Sequence, residues 1–93
     1  MYSLEFSKQA QKQFLKLDSS QRFQVAKALE RRLLNPHITG AQLRGELSGF
    51  YKIKLRAIGL RVIYQVVDDR LVVLVLAIGR RENDAVYKAL KNT

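Results

Sequence analysis

From Tyr51 to Arg61 the chain reads Tyr-Lys-Ile-Lys-Leu-Arg-Ala-Ile-Gly-Leu-Arg. Alternate side chains of a strand share a face, so Lys52, Lys54 and Arg56 point one way and Tyr51, Ile53 and Leu55 the other. A turn at Ile58-Gly59, or a four-residue loop giving the same pairing, sets Arg56 opposite Arg61 on the returning strand. Like charges opposed across a strand pair are destabilising. A fold gains little by stacking four cations unless a polyanion lies over them; the plain alternative is a solvated basic face. On RNA such a face has specific chemistry to do. The 2′-hydroxyl can attack the adjacent phosphorus in line, leaving a 2′,3′-cyclic phosphate and a 5′-hydroxyl. A catalyst must take the 2′ proton, hold the dianionic phosphorane and align the attack.

The usual proton carriers are scarce. The chain has one histidine, His37, just after a helix-stopping proline and away from the cationic strand, where a loop residue is the simpler reading. Lysine can serve if its pKa is lowered, and neighbouring positive charge lowers it by disfavouring the protonated form. Lys54 is read as the proton acceptor, with Lys52 holding phosphate or sharing that role. Arg61 can bind two phosphate oxygens through its forked guanidinium. There is no cysteine, and none of the eight carboxylates pairs with His37 at ligand spacing, so neither a metal set nor a cofactor site is read.

These residues need a scaffold. The 93 residues suffice for a single domain, 1–93, and 47% hydrophobic content predicts a packed core. The net charge of +9 points to nucleic acid or another anionic surface. Five cations and one acid fall in residues 42–67, the most basic stretch per residue. The absence of cysteine and of a basic-then-apolar leader, and a longest apolar run of only Leu71 to Ile78, predict a cytoplasmic chain with no membrane span.

Residues 2–6 alternate as a short strand. Ser7 is an N-cap for a helix over 8–17, with Ala10, Phe14 and Leu17 on one stripe. Asp18 and Gln21 resemble a capping box opening a second helix to about Leu34, with Val25, Ala26, Leu29 and Leu33 inward. Asn35-Pro36 stops it. Residues 37–49 form a loop punctuated by Gly40, Gly45 and Gly49. Strands follow at about 50–56, 60–67 and 71–78, with a turn at Asp68-Asp69, and Gly79 ends the last. The unbroken apolar run predicts that this strand is central and covered on both faces. A short helix from Asp84 to about Leu90 closes the chain. The order βααβββα predicts an α+β domain, two N-terminal helices packed on a curved antiparallel sheet whose basic side stays open. Tyr51, Tyr64, Phe6, Phe14, Phe23 and Phe50 read as core or near-core, and Lys8, Lys12, Lys16, Lys27, Arg31 and Arg32 as outward helix faces.

The residues Leu43-Arg44-Gly45, the strand Tyr51 to Arg56, Gly59 to Val66, and Ile78-Gly79-Arg80-Arg81-Glu82 followed by Val86-Tyr87 closely resemble the RelE toxins of the RelE/ParE superfamily. The resemblance extends over the whole chain and is densest from Leu43 to Tyr87. It implies a microbial-RNase-like fold and a ribosome-dependent, metal-independent messenger-RNA endonuclease that cleaves the codon in the ribosomal A site. It also implies a RelB-type antitoxin as partner, with operator DNA reached only through that complex. The family's functional residues fall on Lys52, Lys54, Arg61, Arg81 and Tyr87. For Arg81 the resemblance implies proton donation to the leaving oxygen, yet a guanidinium that stays protonated favours charge stabilisation. Tyr87 is placed to stack on a splayed base. Arg44, Arg56 and Arg80 read as contacts to RNA or the ribosome, Arg44 and Arg56 equally as solvated cations. The stretch Glu82-Asn83-Asp84 is less basic than in relatives. Two rival readings exist: a ParE-type toxin acting on DNA gyrase, whose kind lacks the lysine pair and terminal tyrosine, and a non-catalytic RNA- or ribosome-binding module.

Overall fold

Two caps establish the helical layer. In the computed structural model, which describes residues 1–43 and 49–80, the extended Ser7 accepts the Ala10 amide on its hydroxyl at 3.1 Å and opens α1 (Lys8–Leu15). The Asp18 carboxylate accepts the Gln21 amide at 2.8 Å, while Gln21 Oε1 accepts the Asp18 amide at 3.3 Å. This is the expected capping box, and such a cap contributes about 1 kcal/mol. It opens α2 (Ser19–Leu34), which ends where Asn35, ahead of Pro36, leaves the helical region. The buried stripe of α2 is Val25 and Leu29, joined by Ala28 and Leu33. Ala28 thus takes the place expected for Ala26. Phe23 is a correction as well: it is 64% exposed, with the Lys27 ammonium 5.5 Å from its ring centroid. Two residues before Val25 on a helix is nearly the opposite side.

The sheet comprises β1 (Ser3–Phe6), β2 (Phe50–Leu55), β3 (Leu60–Val67) and β4 (Val72–Arg80), in the order β1-β4-β3-β2. The apolar β4 lies inside it, as its composition requires. β2, β3 and β4 form an antiparallel meander, but β1 pairs parallel to β4, so the sheet is mixed. The cause is where α2 delivers the chain. The Tyr2 amide donates to the Leu33 carbonyl at 3.1 Å, so α2 ends beside the start of β1. The chain re-enters the sheet from that end, and two reversals later β4 runs in the direction of β1.

Both hairpins turn through four residues, with a 3₁₀ turn closed by a left-handed residue. In the first, Gly59 has φ +66°. In the second, Leu71 has φ +51°. Glycine adopts this conformation freely, whereas for leucine it costs about 1 kcal/mol. The Leu71 carbonyl accepts the Ser3 amide at 2.8 Å, so this residue also ties down β1. The first turn corrects an expectation. It occupies Arg56 to Gly59, which pairs Leu55 with Leu60 and Lys54 with Arg61. Arg56 leaves the strand instead of opposing Arg61. A two-residue turn at Ile58-Gly59 would need left-handed backbone at Ile58, which a β-branched residue resists.

β4 continues through Gly79, which pairs with Arg61 instead of breaking the strand. A register shift at Ile63/Tyr64 makes Leu76 an extra residue, and Ser7 donates its hydroxyl to the Leu76 carbonyl at 3.1 Å. The bulge lets Val73, Val75 and Ile78 all reach the helix-side core with Tyr51, Ile53, Val62 and Tyr64. On the opposite face Ile63 and Ala77 are fully buried, packed with Leu43, Phe50 and Leu76. The expected C-terminal helix from Asp84 lies outside the described residues.

Candidate nucleic-acid interface

Lys54 stands directly opposite Arg61, and Lys52, two residues along the same strand, points to the same face. Opposed residues in an antiparallel pair hold their Cβ atoms roughly 5 Å apart. Lys54 is exposed, while Lys52 and Arg61 are half-buried. On its other side Arg61 meets Gly79. A glycine there adds no side chain to crowd the guanidinium. Further along the face Ile63 and Ala77 are covered by Leu43, Phe50 and Leu76, so the open part of this surface is the basic end.

The other expected site residues divide. Arg56 lies on the exposed hairpin turn, close enough to line one groove with Lys52 and Lys54. Arg80 is opposite Leu60, a residue of the helix-side core, and borders a separate groove with Gln13, Lys16 and Ile58. It lies on the face opposite the lysines, because β4 runs on through Gly79. Arg44, Arg81 and Tyr87 lie outside the described residues.

Two features went unseen in the sequence. Arg32, expected to point outward, is half-buried and donates from Nη1 to the Tyr64 hydroxyl at 2.8 Å, its guanidinium 5.7 Å from the ring centroid. The signal was present: Arg32 follows the buried Leu29 by three positions, on the edge of the inner stripe. The Tyr64 hydroxyl donates in turn to the Pro36 carbonyl at 2.7 Å. Burial raises the pKa of Tyr64, and the Arg32 hydrogen bond opposes that rise.

The second is a polar chain built on His37. Its Nδ1 lies 2.9 Å from the Tyr51 hydroxyl and its Nε2 2.8 Å from Asp68 Oδ1, to which Tyr2 also donates at 2.7 Å. His37 therefore touches β2, but through the tyrosine on its helix side. Tyr51 stacks on Tyr64 with centroids 5.3 Å apart. The hydrogen bonds from Tyr2 and then His37 hold the Asp68 carboxyl below its ordinary value of 3.8. Such a group stabilises the fold above that value, and the contribution disappears as pH falls through the lower, folded-state pKa. The difference in urea midpoint between the native chain and Asp68→Asn is expected to shrink from about pH 5 to about pH 2. A difference constant over that range would show that the carboxylate is not held by these bonds. Among the described residues no three His, Asp or Glu side chains gather to hold a metal ion, and no helix is long and apolar enough to cross a membrane.

Comparison with known proteins adds an independent line. Residues 4–85 match a family model described as the ParE toxin of the type II toxin–antitoxin system parDE. A RelE-like toxin protein of Escherichia coli is 46% identical over 86 residues, covering 92% of this chain and 90% of that one. The mRNA interferase toxin RelE of Escherichia coli K12 is 44% identical over the same shares. Among solved structures, the isolated E. coli RelE toxin superposes with a TM-score of 0.83 at 42% identity, covering 99% of this chain and 98% of that one. The toxin in the intact E. coli RelBE toxin–antitoxin complex superposes with the same score and identity, covering 89% and 100%.

Proposed function

The chain belongs to the RelE-like toxins of the RelE/ParE superfamily, the toxins of type II toxin–antitoxin systems, and we propose that it cleaves messenger RNA in the ribosomal A site. The observation that carries this reading is the register that sets Lys54 against Arg61, with Lys52 beside them on one face. Lys54 takes the proton from the 2′-hydroxyl while Lys52 holds the phosphate. Arg61, with Arg81, stabilises the charge that accumulates on the phosphorane. Tyr87 stacks on a base and keeps the strand bent for in-line attack. Relatives with 44% identity carry the name mRNA interferase, which supports the reaction class.

In this reading a RelB-type antitoxin neutralises the toxin by covering its basic face; the existence of a solved RelBE complex supports the partnership. The chain acts in the cytoplasm, on ribosomes, and reaches operator DNA only through its antitoxin. The matched family model favours a second reading, a ParE-type toxin directed at a protein. The lysine pair, which ParE-type toxins lack, and the mRNA interferase names of relatives 44% identical weigh against it. The deciding experiment uses a ribosome programmed with a message that carries a 2′-deoxy nucleotide at the cut position. Cleavage of the all-ribose message, with a 2′,3′-cyclic phosphate end, and none of the deoxy message is the expected result. Cutting of both, or of neither, overturns the proposal.

A further inference from the structure

At the outer edge of β2, beside the lysine pair and past the Gln42–Tyr51 bridge, lies a groove of about 420 Å³. Among the described residues its charged walls are Arg32, Lys52, Lys54 and Arg56, with Ile38, Gly40 and Ala41 of the preceding turn completing it. Arg32, Lys52 and Arg56 alone bring three positive charges to one opening, and an anion entering it offsets their mutual repulsion.

Arg32 is the informative member. The buried Tyr64 hydroxyl already has an acceptor in the Pro36 carbonyl, so the arginine is not required to spend that donor. What the Tyr64 contact does is hold the guanidinium still. One Nη1–H is used there, and Arg32 makes no second hydrogen bond among the described residues. A guanidinium has five donors in a rigid fork, and one fixed in advance loses little entropy on gripping phosphate. The geometry points to a second phosphate site: this groove receives the messenger phosphate next to the one being cut, and Arg32 is a positioning residue for it. The assignment rests on the reading of the Lys52, Lys54 and Arg61 face as an RNA site. Both lysines border the groove and the face, so a single strand crossing the edge of β2 meets the two in succession.

Two variants test it. Arg32→Gln removes the fork. Gly40→Glu adds a carboxylate at the groove wall, and a Cβ there meets nothing within 4 Å, so the fold tolerates it. The probe is an uncleavable 2′-O-methyl hexaribonucleotide, titrated by fluorescence anisotropy at several salt concentrations, alongside cleavage kinetics on programmed ribosomes. Each variant is expected to bind about tenfold more weakly, and Arg32→Gln to lower the salt slope by about 0.7, the share of one single-strand phosphate contact. On ribosomes KM should rise with kcat retained, the pattern of a positioning group. Should Arg32→Gln fail to fold, Gly40→Glu decides alone. Unchanged affinity in the folded variants overturns the site, as does failure of the native chain to bind the probe. Weakened binding to ribosomes but not to the probe would place ribosomal RNA there instead and also overturn it. If the native chain binds the probe through this groove yet cuts no message, the groove stands and the nuclease proposal falls. Normal cleavage with unaltered KM in both variants does the opposite, removing the groove and leaving the nuclease in place.

Discussion

Arg61→Ala and Arg81→Ala are each expected to abolish growth arrest on expression while leaving the protein folded. Arg61 sits between Lys54 and Gly79 on the face opposite the helical core, so its side chain can be shortened without opening that core. Arg81 follows the last described residue of β4, and its role comes from the resemblance to RelE toxins. In the proposed mechanism each guanidinium stabilises charge that exists only in the transition state. Removing one such donor typically raises the barrier by about 2.7–4 kcal/mol, or about 10²–10³ in rate. The measurement is single-turnover cleavage on programmed ribosomes, with circular dichroism confirming the fold. Nearly native rates in both variants would remove the arginines from the mechanism.

The larger effect is expected from the ribosome itself. Purified toxin should cut a message in a programmed ribosome with an empty A site far faster than the same message free in solution. The site offers lysines and permanently charged arginines, so proton transfer is inefficient and alignment must supply much of the acceleration. Fixing the message and bending it until the 2′-oxygen lies in line can be worth an effective molarity on the order of 10⁵ M. The basic surface also favours docking on ribosomal RNA, so the advantage should weaken as salt rises. Equal rates at matched concentrations would mean a general ribonuclease.

What was legible in the sequence was local. Ser7, the Asp18–Gln21 box and the Asn35-Pro36 stop act over three or four residues, and each lies where pattern and propensity placed it. The unbroken apolar run of β4 announced its interior place in the sheet. The lysine face was legible because alternation alone assigns it. What could not be read depended on distance. Two registers of the β2–β3 hairpin bury the same residues, and the one that forms places Gly59 at the left-handed position closing a four-residue turn. The parallel direction of β1 follows from where α2 ends, which no local window contains. The His37 chain joins residues 2, 37, 51 and 68. Arg32 was misplaced because a charged residue at the edge of a stripe reads as solvent-facing until its aromatic partner is known.

The parallel pairing of Ser3–Phe6 with residues 72–75 also sets an order of events during synthesis. β1 is the first strand made, and its partner β4 is the last described one. β3 also needs β4 on its open side. Until β4 is made, Lys52, Lys54 and Arg61 sit on a two-stranded hairpin, a unit that is marginal in water by itself. Joining the two ends of so long a segment is also a slow, non-local step. The nascent chain therefore carries its cations without the rigid surface that would aim them. For a toxin proposed to act on ribosomes, this order means that its own ribosome must have made residues 72–80 before the proposed cutting face exists.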